Sequence, residues 1–130
     1  MKKIIYFLIV FLISFLIKIP PYIELNNLAI IETIGIEEKD NMYTIYLKEL
    51  IPIKNDQGIK YEYKYYEASS KTINKAINKI KKETSKKLYF SKIKKIITNI
   101  KNTDHIKKEL DIKPNSITHT NKNIKQIIKD

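Results

Sequence analysis

The side chains able to do chemistry are few in this chain, and they lie far apart. It has two histidines, His105 and His119, and no cysteine. His105 sits beside Asp104 in a lysine-rich helical pattern, and His119 lies in a polar stretch. Both read as exposed and structurally neutral. The missing cysteine excludes disulfides, cysteine-ligated zinc and thiol catalysis. With only Gly35 and Gly58, no glycine-rich phosphate loop can form. Gly35 falls inside a strand pattern, where glycine marks a bulge or a close approach of another element. Glu37, Glu38 and Asp40 form an acidic run on a hairpin turn, where such a run is solvated. Ser69 or Ser70 can cap a helix, and no histidine stands at a suggestive spacing from them. Nothing joins a nucleophile to a base. The chain therefore reads as a non-enzyme, with no cofactor, no metal site and no evident small-molecule substrate.

The tyrosines are more informative. Tyr61, Tyr63, Tyr65 and Tyr66 crowd one short segment, and Tyr89 stands in a second, Lys87-Leu88-Tyr89-Phe90. Two readings are open, packing on a sheet face and a recognition surface. Tyrosine suits recognition because it offers a large contact area at low conformational cost. These five are the candidate partner surface.

The elements that must position them follow from hydrophobic periodicity. Leu28 to Ile36 is short, rich in β-formers and mostly apolar, a candidate buried strand. Glu37 to Asn41 is a polar turn. Met42 to Ile51 alternates, with Tyr43, Ile45 and Leu47 on one face, so the two segments read as an antiparallel hairpin. Pro52 should end the second strand, and Lys54 to Gly58 should form a loop. Ile59 to Glu67 alternates again, with Ile59, Tyr61, Tyr63 and Tyr65 opposite Lys60, Glu62, Lys64 and Tyr66. That pattern predicts a third, half-buried strand.

The period then changes. Ile73, Ala76, Ile77 and Ile80 follow helical spacing and should bury one face of a helix ending near Thr84. Lys87 to Phe90 is a short apolar knot. Ile93, Ile96, Ile97 and Ile100 fit a helical stripe, yet Lys94 to Thr98 also fits a strand. Asp104 to Leu110 reads as a short helix. Beyond Pro114 the chain is polar and basic, with a last helical turn around Ile124, Ile127 and Ile128.

The N-terminus carries an apolar run, Ile4 to Ile17, behind Lys2 and Lys3 and ahead of Lys18-Ile19-Pro20-Pro21. A cleaved signal peptide and a retained signal anchor both begin this way. Prolines and bulky side chains occupy the place where cleavage needs small ones, which favours the anchor. Lys18 can snorkel to the interface and lengthen the span. Lys2 and Lys3 would hold the N-terminus in the cytoplasm and place the remainder outside.

The net charge is +11, and all 25 basic residues are lysines. Arginine is the residue suited to bidentate phosphate and guanine contacts. Its absence beside abundant Ile, Asn and Lys points to AT-rich coding and away from a nucleic-acid surface. Anionic lipid or wall polymer is a better match, since each lysine near such a surface adds about 1 kcal/mol. A solvated lysine-rich surface is the plainer reading.

Three blocks, in order, resemble one family. Glu24 to Glu37 is similar to the opening of the Ger(x)C proteins, the C subunits of bacterial spore germinant receptors. Lys71 to Ile77 resembles their Lys-Thr helix start. Lys87-Leu88-Tyr89-Phe90, followed by Lys94 and Ile96-Ile97, resembles their Leu-Tyr-Phe element. The resemblance covers residues 23–112. It implies an α+β domain and makes Lys94 to Thr98 a strand. It also implies a place at the spore inner membrane beside integral A and B subunits, in the conversion of nutrient sensing into germination. Family members usually carry a lipobox; here its cysteine falls on Ile19, its glycine on Lys18 and its Trp-Asp on Pro20-Pro21, so lipidation is impossible. The family's Gly-His after Leu-Tyr-Phe is Ser91-Lys92, and its further C-terminal domains have no counterpart in these residues.

The expected architecture is α+β, a mixed or antiparallel sheet of about four strands with packed helices, preceded by an N-terminal membrane helix. The expected divisions are an anchor at 1–19, the domain at 23–112 and a basic polar tail at 113–130. The expected role is a membrane-anchored, extracytoplasmic interaction subunit acting by docking. The alternative is an anchored lysine-rich domain that holds anionic lipid or wall polymer.

Overall fold

The computed structural model describes residues 2–16 and 25–130. The lipobox-aligned positions Lys18 to Pro21, and Ile17, lie outside the described residues. Helix α1 spans Lys2–Leu16. After a single 3-10 turn at Leu25–Asn27 come β1 (Leu28–Lys39), β2 (Met42–Asn55), β3 (Gly58–Ser70) and α2 (Ile73–Glu83). Then follow β4 (Lys87–Tyr89), β5 (Lys95–Thr98), α3 (Asp104–Leu110), β6 (Ser116–His119) and α4 (Ile124–Lys129).

The first three strands form an antiparallel meander because both connections are two-residue turns. Asp40 and Asn41 take φ of 52° and 58°, the paired left-handed conformation that matches strand twist in a hairpin. The polar turn is thus shorter than the acidic run suggests, and Glu37 and Glu38 belong to β1. Asp56 and Gln57 turn β2 into β3, with Asn55 paired to Gly58. Gly58 has φ of 127°, a conformation open to glycine.

Among the described residues the sheet is mixed and has six strands, ordered β3-β2-β1-β5-β6, with β4 also on β1. This corrects the expectation of about four. β4 and β5 lie end to end along one edge of β1, parallel to it, and β6 runs parallel to β5. The two added strands are three or four residues long. Such segments hold too few alternations to show a period of two.

Two other expectations change. Pro52 does not end β2, which runs on to Asn55 opposite β3. The β1–β2 ladder starts at Ile30 and Leu50, so among the described residues β2 is unpaired on that side at Pro52, where a missing N–H costs no ladder bond. The helix cap is Thr72, whose hydroxyl accepts from Lys75 N at 3.3 Å. Ser69 and Ser70 instead finish β3, with Ser69 Oγ 2.8 Å from Thr44 Oγ1.

One face of the sheet holds the main core. Ile34, Ile36, Ile45 and Leu47 pack with Ile73, Ala76, Ile77 and Ile80 of α2, the helical stripe read from spacing, and with Ile106 of α3. A bulge at Glu32, where the register shifts between Ile31 and Thr33, lets Ile31 and Ile34 face this same side. The 113–130 segment contributes β6 and α4, and α4 packs on the opposite face. There Ile124 and Ile128 meet Tyr46 and Ile97. Gly35 is what admits them: a Cβ on it would lie 2.6 Å from Ile124 Cγ2.

Among the described residues, no helix is long and apolar enough to cross a membrane.

Candidate functional site

The α4 face is covered over only half of its length. Beyond α4, toward the start of β1, none of the described elements packs on it. Residues directly opposed in a ladder share a face, so the pairings assemble the open half. Tyr89 pairs with Ile30, Ile30 with Leu50, and Leu50 with Tyr63. These four make one row across β4, β1, β2 and β3. At about 4.8 Å between strands, the row spans roughly 14 Å. On either side of it, Tyr61 stands opposite Pro52 and Tyr65 opposite Lys48.

The tyrosines are substantially uncovered. Tyr61 is 51% exposed and Tyr63 45%, whereas Tyr46 under α4 is 8% exposed. Lys48 Nζ lies 4.4 Å from the Tyr63 ring centroid and 5.9 Å from that of Tyr65. This is a cation–π arrangement that holds the lysine stem against the rings. Next to the row, an open hollow of about 400 Å³ is lined by Ile30, Leu50, Glu32, Lys94 and Lys113, among others. Lys94 donates to Glu32 Oε1 at 2.6 Å. That hydrogen bond, with the charge of Glu32, holds Lys94 above the usual lysine range, against a smaller effect of burial. The surface thus offers an apolar floor, aromatic flanks and ammonium groups, and it suits an aromatic or acidic partner.

The third strand was expected to be half buried through Ile59, Tyr61, Tyr63 and Tyr65. The alternation is as read, but these side chains lie on the part of the α4 face that α4 leaves uncovered, so they are exposed. Tyr66 does not join them. It points into the main core and is buried, and its hydroxyl donates to Glu49 Oε2 at 2.7 Å, with Thr84 Oγ1 at 3.5 Å. Glu49 is itself 1% exposed and also accepts from Lys86 Nζ at 2.8 Å. A buried carboxylate needs such partners, and Tyr66 is one of them. Tyr89, on β4, stands at the far end of the open row.

Ile30, Leu50 and Lys48 complete the surface and were not picked out from the sequence. The signal for Leu50 and Lys48 was the two-residue turn at Asp56 and Gln57. Counting outward from it opposes Leu50 to Tyr63 and Lys48 to Tyr65.

The histidines do not come together. His105 lies on α3, where Asp104 pairs with Lys107 at 3.1 Å. His119 ends β6 beside a polar hollow with Asn99, Lys101, Thr120 and Asn121. Glu37 of the acidic run accepts from the Tyr46 hydroxyl at 3.3 Å. Among the described residues, no three His, Asp or Glu side chains could hold a metal ion together.

Residues 21–111 match a family model described as the spore germination protein N-terminal domain. No curated protein and no solved structure matches the chain.

Proposed function

We infer the function from one premise: this chain belongs to the spore germination protein N-terminal domain family. On that premise we propose a role in spore germination like that of a germinant receptor C subunit. The protein acts by docking, with no chemistry of its own, to integral A and B subunits of the receptor. The open half-face is the observation that carries this reading. Tyr61, Tyr63, Tyr65 and Tyr89, with Ile30 and Leu50, present contiguous apolar and aromatic area that the domain's own helices leave uncovered. Patches of this kind mark interaction sites, and tyrosine is enriched at binding hot spots.

The position of the face along the chain fits a membrane partner. β1 begins at Leu28, twelve residues after α1 ends at Leu16. Twelve residues reach at most roughly 40 Å. In this proposal the N-terminal apolar segment is a retained anchor, and the domain lies on the outer side of the spore inner membrane. α1 as described has 15 residues, about 22 Å of helix against a hydrocarbon core of about 30 Å. In this proposal the bilayer thins locally to match the shorter helix. Full-length mass in the membrane fraction, with no lipid label, is the expected result. A mature form starting near residue 20 would remove the anchor from the proposal.

Co-purification from spore membranes tests the docking. Replacing Tyr61, Tyr63 and Tyr65 together with serine should abolish recovery of the integral subunits and slow germination, while the domain stays folded. Undiminished recovery would sink the reading. The lysines around the face, Lys48, Lys94 and Lys113, support a second reading, in which the domain holds anionic lipid or wall polymer. Binding of that kind would collapse at high salt and would not require the integral subunits.

A further inference from the structure

β3 is the outer strand of the sheet, and among the described residues nothing pairs with its free edge. It is thirteen residues long, contains no proline, and pairs with β2 over its whole length without a register shift. Long, regular edges invite another strand. The side chains of β3 carry information about which strand that is. Lys60, Glu62 and Lys64 alternate on one face, and Tyr61, Tyr63 and Tyr65 on the other. Among the described residues, no ion pair within the chain engages Glu62 or Lys60.

We propose that β3 pairs antiparallel with β3 of a second copy of this chain, about a two-fold axis through Tyr63. Such an axis runs perpendicular to the sheet, so each face of one copy continues the same face of the other. In this register Glu62 opposes Lys64 of the second copy, and Lys64 opposes its Glu62. Tyr61 opposes Tyr65 on the other face, and Tyr63 meets its own counterpart. The overlap runs from Gly58 to Ala68. Opposite charges directly across a ladder stabilise it and like charges destabilise it.

The neighbouring registers are worse. An axis at Glu62 sets Glu62 against itself and Lys60 against Lys64. An axis at Lys64 sets that lysine against itself. An axis at Tyr61 opposes Lys60 to Glu62 but pairs only Gly58 to Lys64. The same charges that discourage random edge contacts therefore select one self-complementary pairing, the isologous contact of a two-fold dimer. Each copy carries +11, so the pairing needs salt enough to shorten the Debye length, about 8 Å at physiological strength. The dimer would join two tyrosine faces into one. The inference stands on the edge itself and does not depend on which partner the face docks.

The absence of cysteine allows a clean test on the full-length chain in detergent micelles at physiological salt. Opposed residues in an antiparallel pair have Cα atoms about 4.5–5.5 Å apart, within disulfide reach. Tyr63→Cys should therefore give a disulfide-linked dimer under mild oxidation. Tyr61→Cys alone and Tyr65→Cys alone should not, because each stands four residues from its own counterpart, roughly 14 Å away. Mixing those two variants should restore the cross-link. In the otherwise wild-type chain, Glu62→Lys and Lys64→Glu should each weaken dimerisation by on the order of tenfold. An equimolar mixture of the two should recover it, since every opposed pair is then of opposite charge. A monomeric Tyr63→Cys variant, or equal cross-linking of all three single variants, would overturn the proposal. So would failure of the charge-reversed mixture to recover.

Discussion

Two halves of one sheet face carry tyrosines that do different things. Under α4, Tyr46 is buried with Ile97, Ile124 and Ile128, and its hydroxyl is held by Glu37. Beyond α4, Tyr61 and Tyr63 stand on the same face and are exposed, and Tyr65, at the border of the helix, is partly exposed. Nothing in residue type separates the two sets. A single six-residue helix does, and its seat depends on Gly35. Where a glycine lowers the sheet surface, the helix closes it. Where Ile30 and Leu50 stand in the corresponding layer, the face stays open and available to a partner.

The largest effect is expected where the helix seals the face. Ile124→Ala removes the side chain that fits over Gly35, and should cost about 2–5 kcal/mol of stability in denaturant unfolding. A negligible loss would mean that α4 does not hold its half closed, and the contrast between the halves would fail.

Tyr66→Phe sharpens the contrast between the two faces of β3. It deletes the hydroxyl that donates to buried Glu49, leaving Lys86 as that carboxylate's remaining partner among the described residues. The expected cost is about 1–3 kcal/mol.

Tyr46 provides a pH-dependent version of the same comparison. Burial first, then the charges of Glu37 and Glu67 and the hydrogen bond to Glu37, push its pKa from 10.0 up to about 12. The folded value lies above the unfolded one. The contribution is therefore complete below pH 10 and is lost as pH rises through about 12. The stability difference between the wild type and Tyr46→Phe should shrink over that window. The many lysines that titrate there are common to both proteins and cancel. A difference that stays flat from pH 9 to 12 would place Tyr46 outside the sealed half.

The smallest effect on stability is expected on the open half. Tyr63→Ser should change unfolding by no more than about 0.5 kcal/mol, the range typical of surface substitutions. A loss like that of Ile124→Ala would show that the tyrosine row belongs to the core.

Much of this arrangement is legible along the chain. The stripe Ile73, Ala76, Ile77 and Ile80 is the buried face of α2 because a helix that long fixes its own phase. Tyr43, Ile45 and Leu47 face the core because strand alternation is rigid. The strand at Lys95–Thr98, which periodicity left open beside a helix, follows from the family resemblance. The bulge at Glu32 is not legible. Counted from the Asp40-Asn41 turn, Ile31 would oppose Leu50 and face outward. The extra residue turns Ile31 into the core and puts Ile30 on the open surface. No glycine or proline marks the place, so local chemistry does not announce it.

The sequence by itself determined the alternation of β3, the non-polar stripe of α2, the lysine-only positive charge and the absence of thiol chemistry. Each depends on residue type or on spacing within one element, and covalent geometry fixes those. Only the tertiary structure decided which tyrosines are covered. Periodicity assigns a side chain to a face but does not say whether another element will pack on it. That depends on where a distant segment, Ile124 to Lys129, finds a surface low enough to receive it.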